Sequence, residues 1–323
     1  MSKSFSIAGA GRVGSYLSTG LTNAGHRLVS VFSSDGRSAE ALVSHLARGL
    51  TKARESVEEI AWGTASFDLN IPIGDVVIIA VSDRSISEVD VSLARRLKEG
   101  DRRIVVHTSG ALTSSALGML SSAGHAVGSM HPLQSFDRRE PSEIDLTIFE
   151  SLPVIIEGDS EAVDMAWNLT ESLGSRPFRI NSEGKMAYHL AAVLSCNFFA
   201  TLLSAADSLL PDDRLPDDRL REDLLPAALT LEIMKPLAAQ ALTNVFDRLR
   251  EGDAGAAMTG PVARGDSAIL QQHLELLKTD HPELLQLYTT LSTATARNAR
   301  SNGLLQQTQF EEITALLVKY GGI

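Results

Sequence analysis

Cysteine, aromatic residues and positive charge are all scarce in this sequence, and each shortage excludes a class of protein. The single cysteine, Cys196, cannot form an internal disulfide, so a secreted disulfide scaffold is excluded and a reducing compartment fits. Aromatic residues make up only 5% of the chain, so the core must be mainly aliphatic. A net charge of −11, from 29 basic and 40 acidic residues, argues against a nucleic-acid or anionic-membrane surface. An anionic ligand would need a local cationic pocket.

Long hydrophobic runs are also scarce. The N-terminus leads directly into an apolar strand, without the apolar region and cleavage site of a signal peptide. The longest mostly apolar stretch, residues 190–206, contains the polar residues Ser195 and Asn197 and is short for a membrane span. We therefore expect a buried helix there, no membrane association and a cytoplasmic protein.

Strand and helix patterns alternate through the first part of the sequence. The apolar run at residues 75–81 is typical of a strand buried on both faces of a parallel sheet. The alternation predicts an α/β fold, with a Rossmann-type doubly wound parallel sheet in residues 1–181. Predicted strands are 4–8, 27–32, 75–81 and 103–107, with weaker candidates at 126–130, 153–157 and 177–180, and predicted helices are 13–24, 39–48 and 162–173.

Strand signals stop after residue 181, and helical periodicity continues to the end of the chain. We therefore predict an all-helical substrate and dimerisation domain at residues 182–323. Aliphatic stretches such as 224–242 favour a homodimer formed through these C-terminal helices. Residues 211–220, a tandem copy of PDDRL, form a predicted solvated loop without a metal site, because Arg214 and Arg219 would neutralise the aspartates. The predicted helices are 185–210, 224–250, 267–278, 282–299 and 308–320.

A glycine-rich motif joins the first predicted strand to the first predicted helix. Gly9, Gly11 and Gly14 form GxGxxG in the strand–loop–helix context that dinucleotide binding requires. The first glycine permits the tight turn, the second lets the backbone approach the diphosphate, and the third lets helix and strand pack closely. The helix begins around Arg12 and Val13, where free N–H groups and a positive dipole end suit the phosphates. The motif predicts binding of a nicotinamide dinucleotide.

The residues after the second strand favour NADP over NAD. An Asp or Glu normally ends this strand when the ribose 2′-hydroxyl of NAD is bound. Here Ser33 and Ser34 occupy that point, and Arg37 can form charge-assisted bonds to a 2′-phosphate. Asp35 is the opposing signal, because it could bind the NAD ribose from the loop.

Other candidates follow further strands of the predicted sheet. Val81 and Asp83 come at the end of the apolar strand and are cofactor candidates, although Asp83 could equally cap the next helix. Ser109 and His131 each follow a later strand. Ligands of this fold bind outside the carboxyl ends of the strands, so we predict that these two residues line the substrate site.

Two cationic residues lie at the start of the long apolar helix. Lys185 and His189 are four residues apart and share one helical face, separated by about 6 Å of rise. Reduction of a carbonyl group needs a proton donor beside the oxygen that gains charge, and the imidazole of a histidine titrates near neutral pH. We predict that His189 donates the proton and Lys185 holds a substrate carboxylate. Asn197 and Arg264 are further substrate-binding candidates.

These motifs together resemble a family of Rossmann-like, short-subunit dehydrogenase-like oxidoreductases with a C-terminal domain of unknown function. The matching segments extend from Gly9 to Asp266 and are GAGRVG, VIIAVSD, HTSGAL, MHPLQSF, YHLAAVLSCN and MTGPVARGD. Wider relatives are the 6-phosphogluconate dehydrogenase-like, pyrroline-carboxylate reductase and ketopantoate reductase groups. The resemblance implies a nicotinamide-dependent oxidoreductase and names no substrate.

The long helix is similar to two active-site motifs of these relatives. In the first alignment, Lys185 keeps the lysine of the Lys-x-x-His-Asn motif, while Tyr188 and His189 replace the other two residues. In the ketopantoate reductase alignment, His189 replaces the lysine, Val193 replaces the first asparagine and Asn197 matches the second. The resemblance leaves open whether Lys185 or His189 is the proton donor.

The sequence therefore predicts an NADP-dependent oxidoreductase. It would transfer a hydride between nicotinamide and a small carboxylate-bearing carbonyl compound, a 2-oxo acid such as ketopantoate, bound between the two domains. Two alternatives stay open. One is an imine reductase of the pyrroline-carboxylate reductase type, and the other is a non-catalytic NADP-binding sensor.

Overall fold

Eight strands form one sheet in the first part of the chain. The structure is a computed structural model that describes residues 2–51, 60–64, 70–97, 100–209, 227–252 and 258–321. Its strands are β1 (Ser4–Ala8), β2 (Arg27–Phe32), β3 (Ala61–Gly63), β4 (Val76–Ile79), β5 (Ile104–His107), β6 (Ala126–Pro132), β7 (Pro153–Gly158) and β8 (Arg176–Arg179). Their order is β3-β2-β1-β4-β5-β6-β7-β8, and only the β6–β7 pair is antiparallel. The predicted Rossmann-type sheet is confirmed, whereas β3 and the antiparallel pair have no counterpart in the prediction.

Apolar side chains cover both faces of this sheet. Along β4, Val76 and Ile78 belong to the hydrophobic cluster on one face, while Val77 and Ile79 belong to the cluster on the other. All four are fully buried, as expected for a central strand of a doubly wound sheet. The helices that follow the strands are α1 (Arg12–Asn23), α2 (Gly36–Thr51), α3 (Asp83–Arg96), α4 (Gly118–Ser122), α5 (Ser160–Ser172) and α6 (Ser182–Ala192).

The chain divides into two compact units, Met1–Ser195 and Cys196–Ile323. The division lies beyond the predicted one at residue 181, within a helical stretch in which a π-helical turn, Val193–Asn197, follows α6. The second unit contains α7 (Phe198–Ser208), α8 (Ala227–Arg250), α9 (Pro261–Arg264), α10 (Ser267–Asp280), α11 (Pro282–Ser301) and α12 (Gln307–Gly321). Its core joins residues of α9 to α12, among them Leu270, Leu274 and Ile313. The predicted loop at 211–220 lies outside the described residues.

The apolar stretch at residues 190–206 is helical but not buried, so the expectation of a buried helix is wrong. Every residue from 190 to 206 is at least partly accessible. Apolar composition requires that a helix be covered, but it does not specify that the same chain provides the cover. By length and composition alone, the stretch Ser182–Ser208 could also cross a membrane. One such helix is weak support for a membrane protein, because core helices of water-soluble proteins meet the same criteria.

Candidate functional site

The glycine motif at the β1–α1 junction requires two of its glycines for steric reasons. Gly9 has a φ of 113°, and a Cβ atom on it would lie 2.3 Å from the carbonyl oxygen of Ala80. A Cβ atom on Gly14 would lie 1.8 Å from the carbonyl oxygen of Gly9. Gly11 is different, because a Cβ atom there would meet nothing within 4 Å. The geometry fits the predicted roles: two glycines permit close packing, and the third leaves open space for a ligand.

The open space at Gly11 lies at the N-terminus of α1. The first N–H groups of a helix have no partner within the helix, and Gly11, the residue before α1, has no side chain to cap them. The first turn contains no acidic residue. Backbone groups at Arg12 and Val13 are therefore suited to a phosphate, while the side chain of Val13 packs against the core.

A groove of about 520 Å³ extends from this loop across the ends of β2 and β4. The structure brings Gly9, Gly11, Ser33, Ser34 and Val81 together along it, as predicted for cofactor-binding residues. Two of the predicted cofactor residues, Arg12 and Arg37, instead line an adjoining cavity of about 400 Å³. Asp83 is the first residue of α3, and the side chain of the preceding N-cap residue, Ser82, makes no capping hydrogen bond.

The carboxylate of Asp35 is engaged by the first turn of α2. Its Oδ1 accepts a hydrogen bond from the backbone N of Arg37 at 3.1 Å, and its Oδ2 accepts one from Oγ of Ser38 at 2.6 Å. The bond from Ser38 is the main reason why the pKa of Asp35 is below its usual value. The carboxylate thus caps α2, while Asp35 lines the groove together with Ser33 and Ser34.

Two imidazoles meet at Gly110, which follows β5. A Cβ atom on Gly110 would lie 2.7 Å from Cε1 of His131, on β6, and 2.9 Å from Nδ1 of His189, on α6. Nδ1 of His189 is buried and has no hydrogen-bond partner among the described residues. Unpaired buried polar atoms are rare in proteins and often mark a place where a ligand binds or chemistry occurs. The structure therefore brings the predicted residues His131 and His189 to one point.

Tyr188 orients one of these imidazoles. Its hydroxyl lies 2.8 Å from Nδ1 of His131, and the two rings meet edge to face with centroids 5.9 Å apart. Burial raises the pKa of Tyr188 to about 12. Burial, followed by the charge of Lys185, lowers the pKa of His131 to about 4. At neutral pH the pair is therefore a neutral phenol beside a neutral imidazole, with the Nε2 side of His131 directed toward Gly110.

Lys185, which precedes His189 by one turn on α6, lies in a buried polar network. Its Nζ donates a hydrogen bond to Oγ of Ser129 on β6 and lies 3.7 Å from Oε2 of Glu157 on β7. Glu157 also accepts bonds from the backbone N and Oγ of Ser114, at 2.8 and 2.7 Å, and from Oγ of Ser182 at 2.7 Å. Lys185 is 0% exposed and Glu157 is 2% exposed, so the pair is enclosed.

This burial changes the expected role of Lys185. Burial lowers its pKa to about 8, although the neighbouring carboxylate of Glu157 opposes the shift. Burial raises the pKa of Glu157, but the bonds from Ser114 and Ser182 outweigh that effect, so its pKa is below the usual value. With no exposed surface, Lys185 has nothing to offer a substrate carboxylate, and the predicted carboxylate contact is not supported. Position along a helix does not distinguish a buried lysine from an accessible one.

The loop after β5 is held by its own side chains. Nδ1 of His107 accepts a bond from the backbone N of Ser109 at 3.2 Å, so its Nε2, 3.0 Å from the carbonyl oxygen of Thr113, carries the proton. Oγ of Ser109 accepts bonds from the backbone N of Ala111 and of Leu112. These contacts fix the loop that presents Gly110, and a direct contact between Ser109 and a substrate stays a prediction.

The other two predicted substrate residues lie in the second unit. Asn197 ends the π-helical turn, and Arg264 ends α9, where its backbone oxygen accepts a bond from Gln309. Both residues are exposed. Their roles stay predictions.

The sequence motifs did not single out several residues that the structure places at the site. Glu157 is the only charged residue in the strand PVIIEG, and a lone charge in an apolar strand is a signal that could have identified it. Gly110 gave no such signal, because its constraint comes from side chains far away in the sequence. The same is true of Arg138, which lines both the groove and the adjoining cavity.

Two family models match parts of this chain. Residues 2–132 match the model of a Rossmann-like domain, and residues 152–295 match DUF2520, a domain of unknown function. No curated protein sequence matches this chain.

Three solved structures resemble this chain over nearly its whole length. A Bacteroides fragilis protein, provisionally named an NADP oxidoreductase, is 25% identical with a TM-score of 0.65, covering 92% of this chain and 98% of that one. A Thermotoga maritima protein is 24% identical with a TM-score of 0.56 and the same coverage. An imine reductase of Myxococcus stipitatus in complex with NADP+ is 15% identical with a TM-score of 0.55, covering 97% of this chain and 99% of that one. The last two show likeness of fold alone.

Proposed function

We propose that this chain is an NADPH-dependent reductase of a small carbonyl compound. The observation that carries the proposal is the meeting of His131 and His189 at Gly110, on the same sheet edge as the glycine loop and its groove. The carboxyl ends of β1, β4, β5 and β6 all lie at that edge, because these strands are parallel. Ligands of doubly wound sheets bind there.

The residues of the groove fit a nicotinamide dinucleotide. Gly11 leaves room beside the helix N-terminus for a diphosphate. Ser33 and Ser34 line the groove at the end of β2, where this fold binds the ribose. The capping role of Asp35 and the nearby Arg37 favour NADP. When bound, the cofactor supplies the hydride.

The imidazoles supply the proton in this proposal. A carbonyl that accepts a hydride at carbon must gain a proton at oxygen. Nδ1 of His189 has no hydrogen-bond partner among the described residues, and in this proposal it donates the proton. His131, fixed by Tyr188, binds the same oxygen through its Nε2 side. Lys185 acts as a positioning residue, because its contacts with Ser129 and Glu157 tie α6, which carries His189, to β6, which carries His131, and to β7.

A cyclic imine is the alternative substrate class. A C=N group needs the same hydride at carbon and the same proton at the heteroatom, so the site geometry serves both. The likeness of fold to imine reductases is the reason to include this class in the test.

The proposal is tested by NADPH oxidation over a panel of 2-oxo acids and cyclic imines. Turnover of at least one member, lost on replacement of His189, is the expected result. Tight NADPH binding without turnover of any member would favour the sensor alternative. Failure to bind either nicotinamide dinucleotide would end the proposal.

Gly110→Ala tests the convergence of the imidazoles. The new methyl group would lie within 3 Å of both His131 and His189, so the rings must move. A misplacement of about 1 Å can lower the rate about 100-fold, and we expect a loss of that order in kcat with NADPH affinity unchanged. Gly118→Ala is the matched control, because a Cβ atom there meets nothing within 4 Å. Equal activity of the two variants would contradict the proposed site.

We also propose a homodimer that covers the apolar helix. Large apolar side chains recur every fourth residue along α6 and into the turn that follows it: Met186, Leu190 and Leu194, exposed by 60%, 56% and 58%. A stripe of this length is larger than the isolated apolar residues normal on a monomer surface. A second copy of the chain would bury it, in line with the sequence prediction.

Leu194→Glu tests this interface. Burial of a leucine contributes about 1.5–3 kcal/mol, so we expect the dimer Kd to rise about tenfold or more. Light scattering at micromolar concentration should then report a lower mass than for the unmodified chain. Met119→Glu is the control, since Met119 is 52% exposed on α4, away from the stripe. A monomeric unmodified chain would refute the dimer.

A further inference from the structure

Several arginines surround one cavity of this acidic protein. Arg12, Arg37, Arg138 and Arg139 line the cavity of about 400 Å³ that lies beside the cofactor groove. They come from the start of α1, the start of α2 and the segment Asp137–Pro141 that follows β6. The chain as a whole has a net charge of −11, so a local group of positive charges from three separate segments needs a reason.

Only one of these four arginines forms a close ion pair within the part of the chain that the structure describes. Arg139 forms an ion pair with Asp137 at 3.4 Å. Within the described parts of the chain, Arg12, Arg37 and Arg138 form no salt bridge. The remaining carboxylate of the cavity, Glu140, is engaged by the capping box of the turn Pro141–Glu143. The cavity is thus lined by four guanidinium groups and only two carboxylates, which leaves an excess of positive charge.

The segment that carries Arg138 is anchored to α1. Phe136 is buried, and its ring centroid lies 4.9 Å from that of Tyr16 on α1 and 6.3 Å from that of Phe149. Tyr16 itself lines the cavity. Because the anchor is only two residues before Arg138, the backbone at Arg138 is held close to α1, the helix whose N-terminus lies at the groove.

Arg138 lies where the cavity and the cofactor groove meet. The cavity and the groove share four lining residues, Ala10, Gly11, Ser38 and Arg138, and Arg138 is the only cation among them. The groove also contains the end of β2, where this fold places the adenosine ribose. A guanidinium can bind a phosphate on the 2′-oxygen of that ribose through two parallel hydrogen bonds.

We infer that Arg138 is a specificity residue for the 2′-phosphate of NADP, which it binds together with Arg37 and Arg12. The ligand chemistry is a phosphate monoester on the ribose of a dinucleotide. The inference rests on the proposed function, since it requires that the groove bind a nicotinamide dinucleotide. It adds a residue that lies about a hundred positions beyond the second strand, where cofactor choice is usually decided.

The test compares the affinities of NADPH and NADH, measured by cofactor fluorescence on the full chain. Arg138→Ala should weaken NADPH binding about tenfold or more, the effect of losing a charge-assisted contact, and should leave NADH binding within about twofold. Arg138→Lys, which keeps the charge but not the paired donors, should fall between. Arg102→Ala is the matched control, because Arg102 pairs with Glu161 at the opposite edge of the sheet.

A second measurement uses fragments of the cofactor. Adenosine 2′,5′-bisphosphate should displace NADPH better than adenosine 5′-monophosphate, and Arg138→Ala should remove most of that advantage. In the unmodified chain, added salt should weaken NADPH binding more than NADH binding, because the contact is ionic and partly exposed. The comparison of salt effects uses only the unmodified chain, so it can be made even if a substitution impairs folding.

The outcomes separate the two proposals. If the unmodified chain binds neither dinucleotide, the proposed function fails. If the unmodified chain binds NADPH and NADH, and Arg138→Ala weakens the binding of both equally, then Arg138 contacts a part that the two cofactors share. That result would overturn the inference and leave the proposed function intact. An unchanged NADPH affinity in a folded Arg138→Ala protein would overturn it as well.

Discussion

Replacement of His189 by alanine should lower kcat by about 100- to 10,000-fold, the range expected for loss of a general acid. Nδ1 of His189 lies at Gly110 and has no hydrogen-bond partner among the described residues, so no other group there competes for its proton. The affinity for NADPH should not change, because His189 does not line the groove at the glycine loop. Steady-state kinetics on a substrate from the reductase screen, with cofactor titration in parallel, measures both quantities.

His273→Ala is the control for this prediction. His273 lies in the second unit and makes the same kind of contact as His131, with Nδ1 2.8 Å from the hydroxyl of Tyr288. Loss of an imidazole from such a pair should leave kcat within about twofold if no catalytic role is involved. If kcat survives in His189→Ala and falls instead in His131→Asn, the proton comes from His131. If both variants keep full activity, the chemistry is not at this sheet edge.

Glu157→Gln should lower the free energy of unfolding by about 3–5 kcal/mol, because removal of one partner leaves the other charge buried without compensation. Lys185 is fully enclosed, and Glu157 is the carboxylate closest to it in the network. Urea unfolding followed by circular dichroism measures the loss. Glu161→Gln is the matched control, since Glu161 pairs with Arg102 on the surface and exposed pairs contribute about 0–1 kcal/mol. Similar losses in the two variants would show that the buried pair has no special role.

The same variant has a defined pH dependence. The pKa of Lys185 is about 8 in the folded chain and 10.5 in its ordinary state, so between these values the unfolded chain holds a proton that the folded chain has lost. Stability from this group therefore rises with pH across that window. Glu157 raises the pKa of Lys185, so in Glu157→Gln the pKa falls further and the rise begins below pH 8. The deficit of the variant should shrink as the pH approaches 8, and a deficit that grows with pH would contradict this account.

The fold and the nucleotide loop could be predicted because they depend on local features. The order of glycines at positions 9, 11 and 14 sets backbone conformation and close approach within a few residues. Apolar runs such as VVII are long enough to identify strands that are buried on both faces. The four-residue spacing correctly placed Lys185 and His189 on one helical face, since helix geometry follows from spacing alone.

The roles on that face were decided by residues far away in the sequence. Lys185 bonds to Ser129, 56 positions earlier, and it is the alignment of β6 with β7 that brings Ser129 opposite Glu157. His189 instead faces Gly110. One side chain is therefore enclosed and the other is left with an unpaired nitrogen, although both are cationic residue types on the same helix. The sequence contained no local sign of this difference.

The apolar helix shows the same division between sequence and structure. The sequence by itself determined that residues 190–206 form an apolar helix that must be covered, because its composition disfavours contact with water. Only the tertiary structure showed that the described chain leaves this helix exposed, and that Arg138 joins the arginines beside the groove. The physical reason is that hydrophobic and ionic attractions do not specify a partner. Secondary structure follows from neighbours along the chain, whereas the choice of partner depends on how distant segments meet.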